Sequence, residues 1–211
     1  MGRPRLALRP PGLSIITLRS AAVLQRLLAR GIRPRLRLEL TGGFAPRPQL
    51  AHNVVADFKG TEPGAHVIIG AHLDSWDLSC GAADNASGVV AALEVLRAMH
   101  SSGLTPRRSL RVVLFSGEEQ GLLGSRAYVA AHRAGLADIQ AVLVLDGGAG
   151  RILAFPDMQV DAWYAPLAAA AALARRVGEP DIVYETGLGS DHEPFFARGV
   201  PAFAPLQERH A

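Results

Sequence analysis

The first third of the chain shows two hydrophobic periods, one helical and one typical of strands. Residues 20–30 place apolar side chains at helical spacing and stop at Gly31, which predicts a short amphipathic helix. Residues 35–40 alternate charged residues with leucine, the pattern of a half-buried strand at or near a sheet edge. A second strand is predicted over 53–58. The continuous apolar run 67–71 is typical of a central strand that is covered on both faces.

From residue 86 onward, helices and strands alternate. The pattern predicts helices over 86–100, 119–133 and 161–177, and strands over 110–115, 141–145 and 200–203. Strands that alternate with helices of this length favour an α/β fold. We therefore predict a three-layer α/β/α sandwich around a mixed, mainly parallel sheet.

Length and composition indicate an ordinary globular protein. The chain has 211 residues, of which 49% are hydrophobic and 19% charged. This length allows one substantial core, which we assign to residues 51–211. Residues 1–50 are interpreted as a basic lead with the short helix and the edge strand. No apolar run approaches the roughly 20 residues that span a bilayer, and the basic start is not followed by a clear secretory signal.

The charge is unevenly distributed. Residues 1–50 contain ten arginines and one acid, Glu39, whereas the remainder holds twelve basic and eighteen acidic residues. A basic segment can contact nucleic acid. Here the arginines are scattered among Pro and Leu, no aromatic residues interleave with them, and Lys59 is the only lysine. We predict no nucleic-acid binding, and the acidic remainder is what a cation-binding core would produce.

Side chains that commonly bind metals follow the ends of several predicted strands. His72 follows the run 67–71, Glu118 and Glu119 follow 110–115, and Asp146 follows 141–145. In open α/β sheets, sites form at the carboxyl ends of the strands. These residues are therefore expected to converge. Imidazole and carboxylate ligands without thiolates suit zinc or a related divalent ion held for chemistry.

Three further residues extend this set. Asp74 lies two residues after His72, where a carboxylate can receive the second ring N–H of a ligating histidine. Asp84 lies among small residues at the start of a predicted helix, which fits either a helix cap or a metal ligand; the small neighbours favour the ligand. His192 follows a glycine-rich approach and precedes Pro-Phe-Phe, which favours a positioned ligand over a surface histidine. Cys80 is interpreted as a loop residue and not as a ligand.

Five blocks, taken together and in this order, resemble the M28 family of co-catalytic zinc exopeptidases, most closely the branch that includes plasma glutamate carboxypeptidase (carboxypeptidase Q). The resemblance covers roughly residues 50–205. The blocks are His72-Leu73-Asp74-Ser75-Trp76, Gly81-Ala82-Ala83-Asp84-Asn85-Ala86-Ser87-Gly88, Ser116-Gly117-Glu118-Glu119-Gln120-Gly121, Leu145-Asp146-Gly147 and Gly189-Ser190-Asp191-His192-Glu193-Pro194-Phe195.

The resemblance implies a role for each residue. Asp84 would bridge two Zn²⁺ ions, with a cis peptide bond between Asp84 and Asn85. His72 and Asp146 would complete one ion, and Glu119 and His192 the other. Glu118 would be the general base and Asp74 the partner of the His72 ring. The implied substrate is a dipeptide or short peptide cut at a terminal bond.

The resemblance also leaves alternatives open. Members of this branch usually carry a longer N-terminal part and further C-terminal elements, so the chain is expected to be a catalytic core trimmed at both ends. The branch suggests a secreted or periplasmic protein, although no signal peptide is recognised. A peptidase-like binding module without activity and a single-zinc acyltransferase of the glutaminyl cyclase type are the competing interpretations. The sequence does not distinguish amino- from carboxy-terminal cleavage and gives no oligomeric state.

Overall fold

Two sheets and the helices beside them form the part of the molecule that carries the candidate ligands. The computed structural model describes residues 18–37, 47–77, 79–174, 178 and 180–208. These residues fall into two compact units that divide between Pro48 and Gln49. The first unit contains helix α1, Leu18–Ala29, which ends before Gly31 as predicted. Residues 35–37 are not in a strand, so that part of the predicted strand 35–40 is wrong, and 38–40 lie outside the described residues.

The second unit is built on a five-stranded sheet. Its strands are β1 (Val54–Phe58), β2 (His66–His72), β3 (Ser109–Phe115), β4 (Ile139–Val144) and β7 (Ala202–Phe203). They lie in the order β1-β3-β2-β4-β7. The edge strand β1 runs antiparallel to β3, and the other neighbours are parallel. The run 67–71 lies in the middle strand, as its continuous apolar sequence predicted.

Helices cover both faces of this sheet. On one face, α2 (Ser87–Ser102) packs Ala92 against Ala71 and Val112. On the other face, α3 (Leu123–Ala131) and the short α5 (Glu193–Phe196) bring Tyr128 and Phe195 onto the larger core cluster around Phe115. The predicted α/β/α sandwich with a mixed, mainly parallel sheet is therefore confirmed.

A second sheet was not predicted. Strands β5 (Ile152–Pro156), β6 (Asp181–Val183) and β8 (Leu206–Gln207) form it in the order β6-β5-β8. Helix α4 (Asp161–Leu173) lies beside β6 and places Trp163 edge-on against Phe196 and Phe203. Among the described helices, none combines the length and apolar character needed to cross a membrane.

Candidate metal centre

The end of β2 delivers His72 to the centre of a ligand cluster. The His72 ring is 1% exposed, and its Nε2 lies 3.0 Å from Asp84 Oδ1 and 3.0 Å from Asp146 Oδ1. The three ligand atoms lie within 4.8 Å of one another. Asp146 reaches this position because β4 runs parallel to β2 and ends beside it, with Leu145 N–H donating to the Gly70 carbonyl at 2.8 Å. The predicted convergence of these strand ends is therefore seen.

The residues after β3 bring two more carboxylates to His72. Glu118 and Glu119 form a second group with His72 whose ligand atoms also lie within 4.8 Å of one another. The sequence predicted a helix over 119–133, and this is wrong at its start: Glu119 is not in a helix, because α3 begins only at Leu123. Gly117 and Gly121 take positive φ values of 75° and 106° there, which glycine tolerates without steric cost. The resulting turn folds the glutamates back toward β2.

Asp74 holds this turn through backbone groups. Its Oδ1 accepts N–H bonds from Gly117 at 2.9 Å and Glu118 at 3.1 Å, and its Oδ2 accepts one from Glu119 at 3.2 Å. The predicted partner of the His72 ring is a different atom. His72 Nδ1 lies 2.8 Å from the Asp74 backbone carbonyl and 3.7 Å from the carboxylate. The prediction found the right residue but the wrong contact.

Asp84 lies in an irregular helical turn, Ala82–Ala86, that precedes α2. The peptide bond between Asp84 and Asn85 is cis, as the resemblance implied. The buried Asn85 side chain donates to the Leu145 carbonyl at 2.8 Å and accepts from Gly88 N–H at 3.2 Å. A Cβ on Gly88 would overlap the Leu145 carbonyl oxygen. The small residues around Asp84 thus let α2 start directly against the end of β4.

His192 lines a cavity together with Asp84 and Asp146 but belongs to neither ligand group of the described chain. Its ring is fully buried, and neither ring nitrogen makes a hydrogen bond of normal geometry to the described residues, although the Gly187 backbone lies close enough to act on its pKa. Burial lowers the pKa of His192, so the imidazole is neutral near pH 7. His192, Asp84 and Asp146 line one cavity of about 670 Å³. A neutral, unpartnered imidazole at such a cavity has the chemistry of a metal ligand.

The electrostatics of the cluster show an excess of negative charge. Burial raises the pKa of Glu118 to about 7, with the charge of Asp146 adding to it. Burial and the charge of Asp84 also raise the pKa of Glu119. Burial opposes protonation of His72, but the hydrogen bond and charge of Asp146 outweigh it and raise the His72 pKa to about 9. Crowded carboxylates are costly unless a positive charge lies among them.

The donor set fits zinc. Zinc takes imidazole nitrogen and carboxylate oxygen, and catalytic sites use about three protein ligands for each ion. The group His72, Asp84 and Asp146 supplies three such atoms. Glu119 Oε1 is buried without a hydrogen-bond partner among the described residues, which also suits a ligand. Cys80 is exposed and belongs to neither ligand group found in the described chain.

Several residues near the cluster were not singled out from the sequence. Asn53 brackets the glutamate turn, since its side chain donates to the Gly124 carbonyl at 2.9 Å and accepts from Ser116 N–H at 3.1 Å. Asp191 is fully buried, accepts a hydrogen bond from the Ser125 hydroxyl, and has its pKa raised by burial to about 6. These contacts join residues more than 60 positions apart, and no local pattern announces them.

Two aromatic residues of the matched blocks, Trp76 and Phe195, differ in their surroundings. Phe195 is fully buried in the core with Phe115 and Tyr128. Trp76 is 59% exposed, four residues after His72. Phe195 therefore packs the core, and Trp76 is available to solvent near the end of β2.

Comparison with known proteins agrees with this geometry. The family model described as Peptidase family M28 matches residues 53–210. Carboxypeptidase Q of Xenopus laevis is 36% identical over 135 residues, which is 63% of this chain and 28% of that protein. The chain therefore spans little more than a quarter of that relative's length.

Solved structures give the same result. A peptidase M28 precursor from Shewanella amazonensis SB2B superposes with a TM-score of 0.70 at 30% identity, covering 89% of this chain and 42% of that one. BSAP, a zinc aminopeptidase from Bacillus subtilis, has a TM-score of 0.61 at 27% identity and covers 74% and 39%. A glutaminyl cyclase from an Acidobacteriales bacterium, at 21% identity and a TM-score of 0.60, shares the fold.

Proposed function

Because the chain belongs to peptidase family M28, we propose that it is a zinc-dependent exopeptidase that hydrolyses a terminal peptide bond of dipeptides or short peptides. The observation that carries the proposal is the meeting of His72, Asp84 and Asp146 within 4.8 Å at the sheet edge, beside Glu118 and Glu119. An isolated carboxylate pair would fit a solvated turn equally well. Two ligand groups that share one buried histidine fit a metal centre better.

We assign the residues to two Zn²⁺ ions. His72 and Asp146 would hold one ion, Glu119 and His192 the other, and Asp84 would bridge them. The first assignment is supported by the 3.0 Å separations of His72 Nε2 from both aspartates. The second is supported by the buried, unpartnered Glu119 Oε1 and His192 nitrogens among the described residues, and by the cavity that Asp84 and His192 share.

Glu118 would act as the general base. When bound, paired zinc ions lower the pKa of water and polarise a carbonyl oxygen. The Glu118 carboxylate would take a proton from the attacking water and give it to the leaving amine. The Asp74 bonds to the Gly117 and Glu118 amides would fix the turn that aims this carboxylate. Burial and the charge of Asp146 raise the pKa of Glu118 to about 7, and bound cations would offset this negative charge.

The cavity wall favours recognition of a free amino terminus. Three acidic residues, Asp84, Asp146 and Glu208, line it together with the neutral His192, and no Arg or Lys of the described chain does so. With the two aspartates engaged by zinc, Glu208 would remain as an anionic partner for a substrate α-ammonium group. A carboxy-terminal enzyme needs a cationic group for the substrate carboxylate. We therefore propose cleavage from the amino end.

A substrate panel tests this function. The full chain, loaded with zinc, is assayed on aminoacyl-anilides, on their N-acetylated forms, and on dipeptides with free or amidated carboxyl ends. We expect two zinc equivalents by metal analysis, hydrolysis that stops on chelation, and a loss of at least tenfold on N-acetylation. One zinc equivalent with cyclisation of glutaminyl peptides would instead identify the cyclase-type enzyme. No zinc and no turnover would identify a binding module.

The role of His192 has its own test. We expect His192→Ala to lose one of two zinc equivalents and to keep its fold, because the ring lies at the cavity that Asp84 lines. The exposed His100 on α2 serves as the matched control, and His100→Ala is expected to keep both ions. Retention of both ions in folded His192→Ala would remove His192 from the ligand set.

A further inference from the structure

The loop after Asp146 forms part of the cavity wall but has little support of its own. Residues 147–149 line the cavity together with Asp84, Asp146 and His192. Three of the four residues 147–150 are glycine, and Gly148 has a φ of 97°. Outside helices and strands, no backbone–backbone hydrogen bond between described residues involves 147–150. A glycine-rich segment of this kind has high conformational entropy and needs a partner to hold it.

The Gln207 side chain supplies that partner. Its Oε1 accepts the Gly147 N–H at 3.1 Å, and its Nε2 donates to the carbonyls of Gly148 and Gly150, each at 2.9 Å. One amide group thus makes three hydrogen bonds to the loop. Both the carbonyl and the NH₂ are needed, because the loop offers one donor and two acceptors to this side chain.

The second sheet fixes where Gln207 lies. Gln207 is in β8 and pairs antiparallel with Ile152 in β5, and the next residue, Glu208, donates its N–H to the Arg151 carbonyl at 2.9 Å. The loop between Asp146 and β5 is therefore tied at its far end by strand pairing and along its length by Gln207. Strand β8 is thereby connected to Asp146, since Gly147 directly follows Asp146.

Two glycines of the loop, Gly147 and Gly150, leave the space that Gln207 and Glu208 need to come close to it. A Cβ on Gly147 would lie 2.6 Å from Gln207 Oε1, and a Cβ on Gly150 would overlap the Glu208 carbonyl oxygen. Such separations are too short for carbon and oxygen in van der Waals contact. The side chain of Gln207 and the backbone of Glu208 thus occupy the space that Cβ atoms on these residues would take.

We infer that Gln207 is a positioning residue of the centre, which holds the loop 147–150, whose residues 147–149 line the proposed substrate cavity, and the peptide that follows Asp146. It acts through the loop and does not take part in proton transfer. The kinetic part of this inference rests on the proposed peptidase function. Loss of the three bonds should weaken substrate binding more than it weakens the chemical step, because Glu118 lies on a separate turn held by Asp74.

The experiment compares Gln207→Ala, Gln207→Glu and the matched control Gln140→Glu, whose side chain is exposed on β4. For both Gln207 variants we expect KM to rise at least about tenfold with kcat within about threefold, as for lost binding of substrate and transition state alike. Gln207→Glu should be at least as impaired as Gln207→Ala, since a carboxylate offers no donor to two carbonyls. Wild-type behaviour of the isosteric Gln207→Glu would reduce Gln207 to a space-filling role and overturn the inference.

A readout without substrate separates this inference from the function. In wild type, the Gly147 amide should be protected from hydrogen exchange, and in folded Gln207→Ala it should exchange at least about tenfold faster while β4 stays protected. If wild type hydrolyses no peptide, the proposed function fails, and hydrogen exchange still tests whether Gln207 holds the loop 147–150. Equal exchange of the Gly147 amide in wild type and Gln207→Ala would overturn the inference that Gln207 holds this loop.

Discussion

Two groups of charged residues lie at opposite ends of β3, and they differ in the opposite charge that lies beside them. At the start of the strand, Arg111 donates Nε and Nη2 to the two carboxylate oxygens of its cross-strand partner Asp57, at 2.6 and 2.9 Å, and Nη1 to the Tyr128 hydroxyl. That hydrogen-bonded pair lowers the pKa of Asp57 and raises that of Arg111. The polypeptide itself supplies the opposite charge.

Beyond the end of the strand, several carboxylates converge on one histidine ring, His72, whose pKa is raised to about 9. Glu118, Glu119, Asp84 and Asp146 surround one imidazole, and in the described chain no Arg or Lys forms an ion pair with them. In contrast to Asp57, whose pKa is lowered, Glu118 and Glu119 have pKa values that burial raises. The second group therefore has the excess negative charge that the proposed zinc ions would offset, whereas Arg111 and Asp57 balance each other within the chain.

The largest effect is expected from Glu118→Gln. General-base catalysis contributes about 10²–10⁴-fold, so the zinc-loaded variant should lose this much in kcat/KM. Its zinc content should stay near that of wild type, because Glu119 and not Glu118 is the proposed ligand. Steady-state kinetics and metal analysis measure the two quantities. Hydrolysis at the wild-type rate would show that Glu118 is not the base.

A smaller effect is expected at Asp74. Asp74→Ala removes the acceptor of three backbone N–H groups, and we expect kcat/KM to fall about 10–100-fold as the glutamate turn loosens. Asp74→Asn keeps one acceptor oxygen and should lose about threefold to tenfold. Zinc affinity should change little in either variant, because His72 bonds to the Asp74 backbone carbonyl, which every substitution retains.

The zinc affinity of the Asp74 variants would distinguish two roles of Asp74, holding the glutamate turn and orienting the His72 ring. Outer partners of a metal-binding histidine typically alter metal affinity about 10–100-fold when mutated. A chelator competition assay on Asp74→Asn therefore decides between them. A large loss of zinc affinity would support action through the His72 ring and contradict the turn-holding role.

The smallest effect is expected at the other end of β3. Asp57 is 48% exposed and Arg111 24%, so Asp57→Asn should lower the free energy of unfolding by only about 0.5–1 kcal/mol near pH 7. Because the folded-state pKa of Asp57 lies below its ordinary value of 3.8, this contribution is complete above about pH 4. It is lost as the pH falls through the lowered folded-state pKa.

Urea unfolding of wild type and Asp57→Asn between pH 3 and pH 7 measures this difference. The two curves should approach each other at the acid end of the series. The exposed pair Glu94 and Arg97 on α2 provides a matched control, and Glu94→Gln should change stability less than Asp57→Asn does. A stability difference that grows on acidification would contradict the assigned direction of the Asp57 pKa.

The sequence predicted the part of the site that depends on strand order. His72, Glu118, Glu119 and Asp146 each follow a long apolar run, and three such runs became the parallel strands β2, β3 and β4. Their residues meet because parallel strands end at one edge. The prediction failed where local period says little. Strands β6 and β8 have three and two residues, include Asp181 and Gln207 and show no apolar run, and β5 ends at Pro156, a residue uncommon inside strands.

Contacts between residues far apart in the chain also could not be predicted from the sequence. The start of α3 was predicted at residue 119, which is too early, because Gly121 and Leu122 both take positive φ values that end any helix before Leu123. Asp74 was assigned to the His72 ring because spacing indicates proximity but not which atom makes the bond. Gln207 lies 57 to 60 positions from its loop partners, and nothing local marks it.

The parallel pairing of β2 with β3 and β4 has a consequence for how the chain folds. His66 in β2 aligns with Ser109 in β3 and with Ile139 in β4, so each pairing closes a loop of more than forty residues. Contacts so distant along the chain form slowly, since the entropy of loop closure is lost before they stabilise anything. We therefore expect the ligands to assemble only after the sheet does. Zinc would be captured late in folding, and the rate of collapse should be indifferent to whether the ion is in solution.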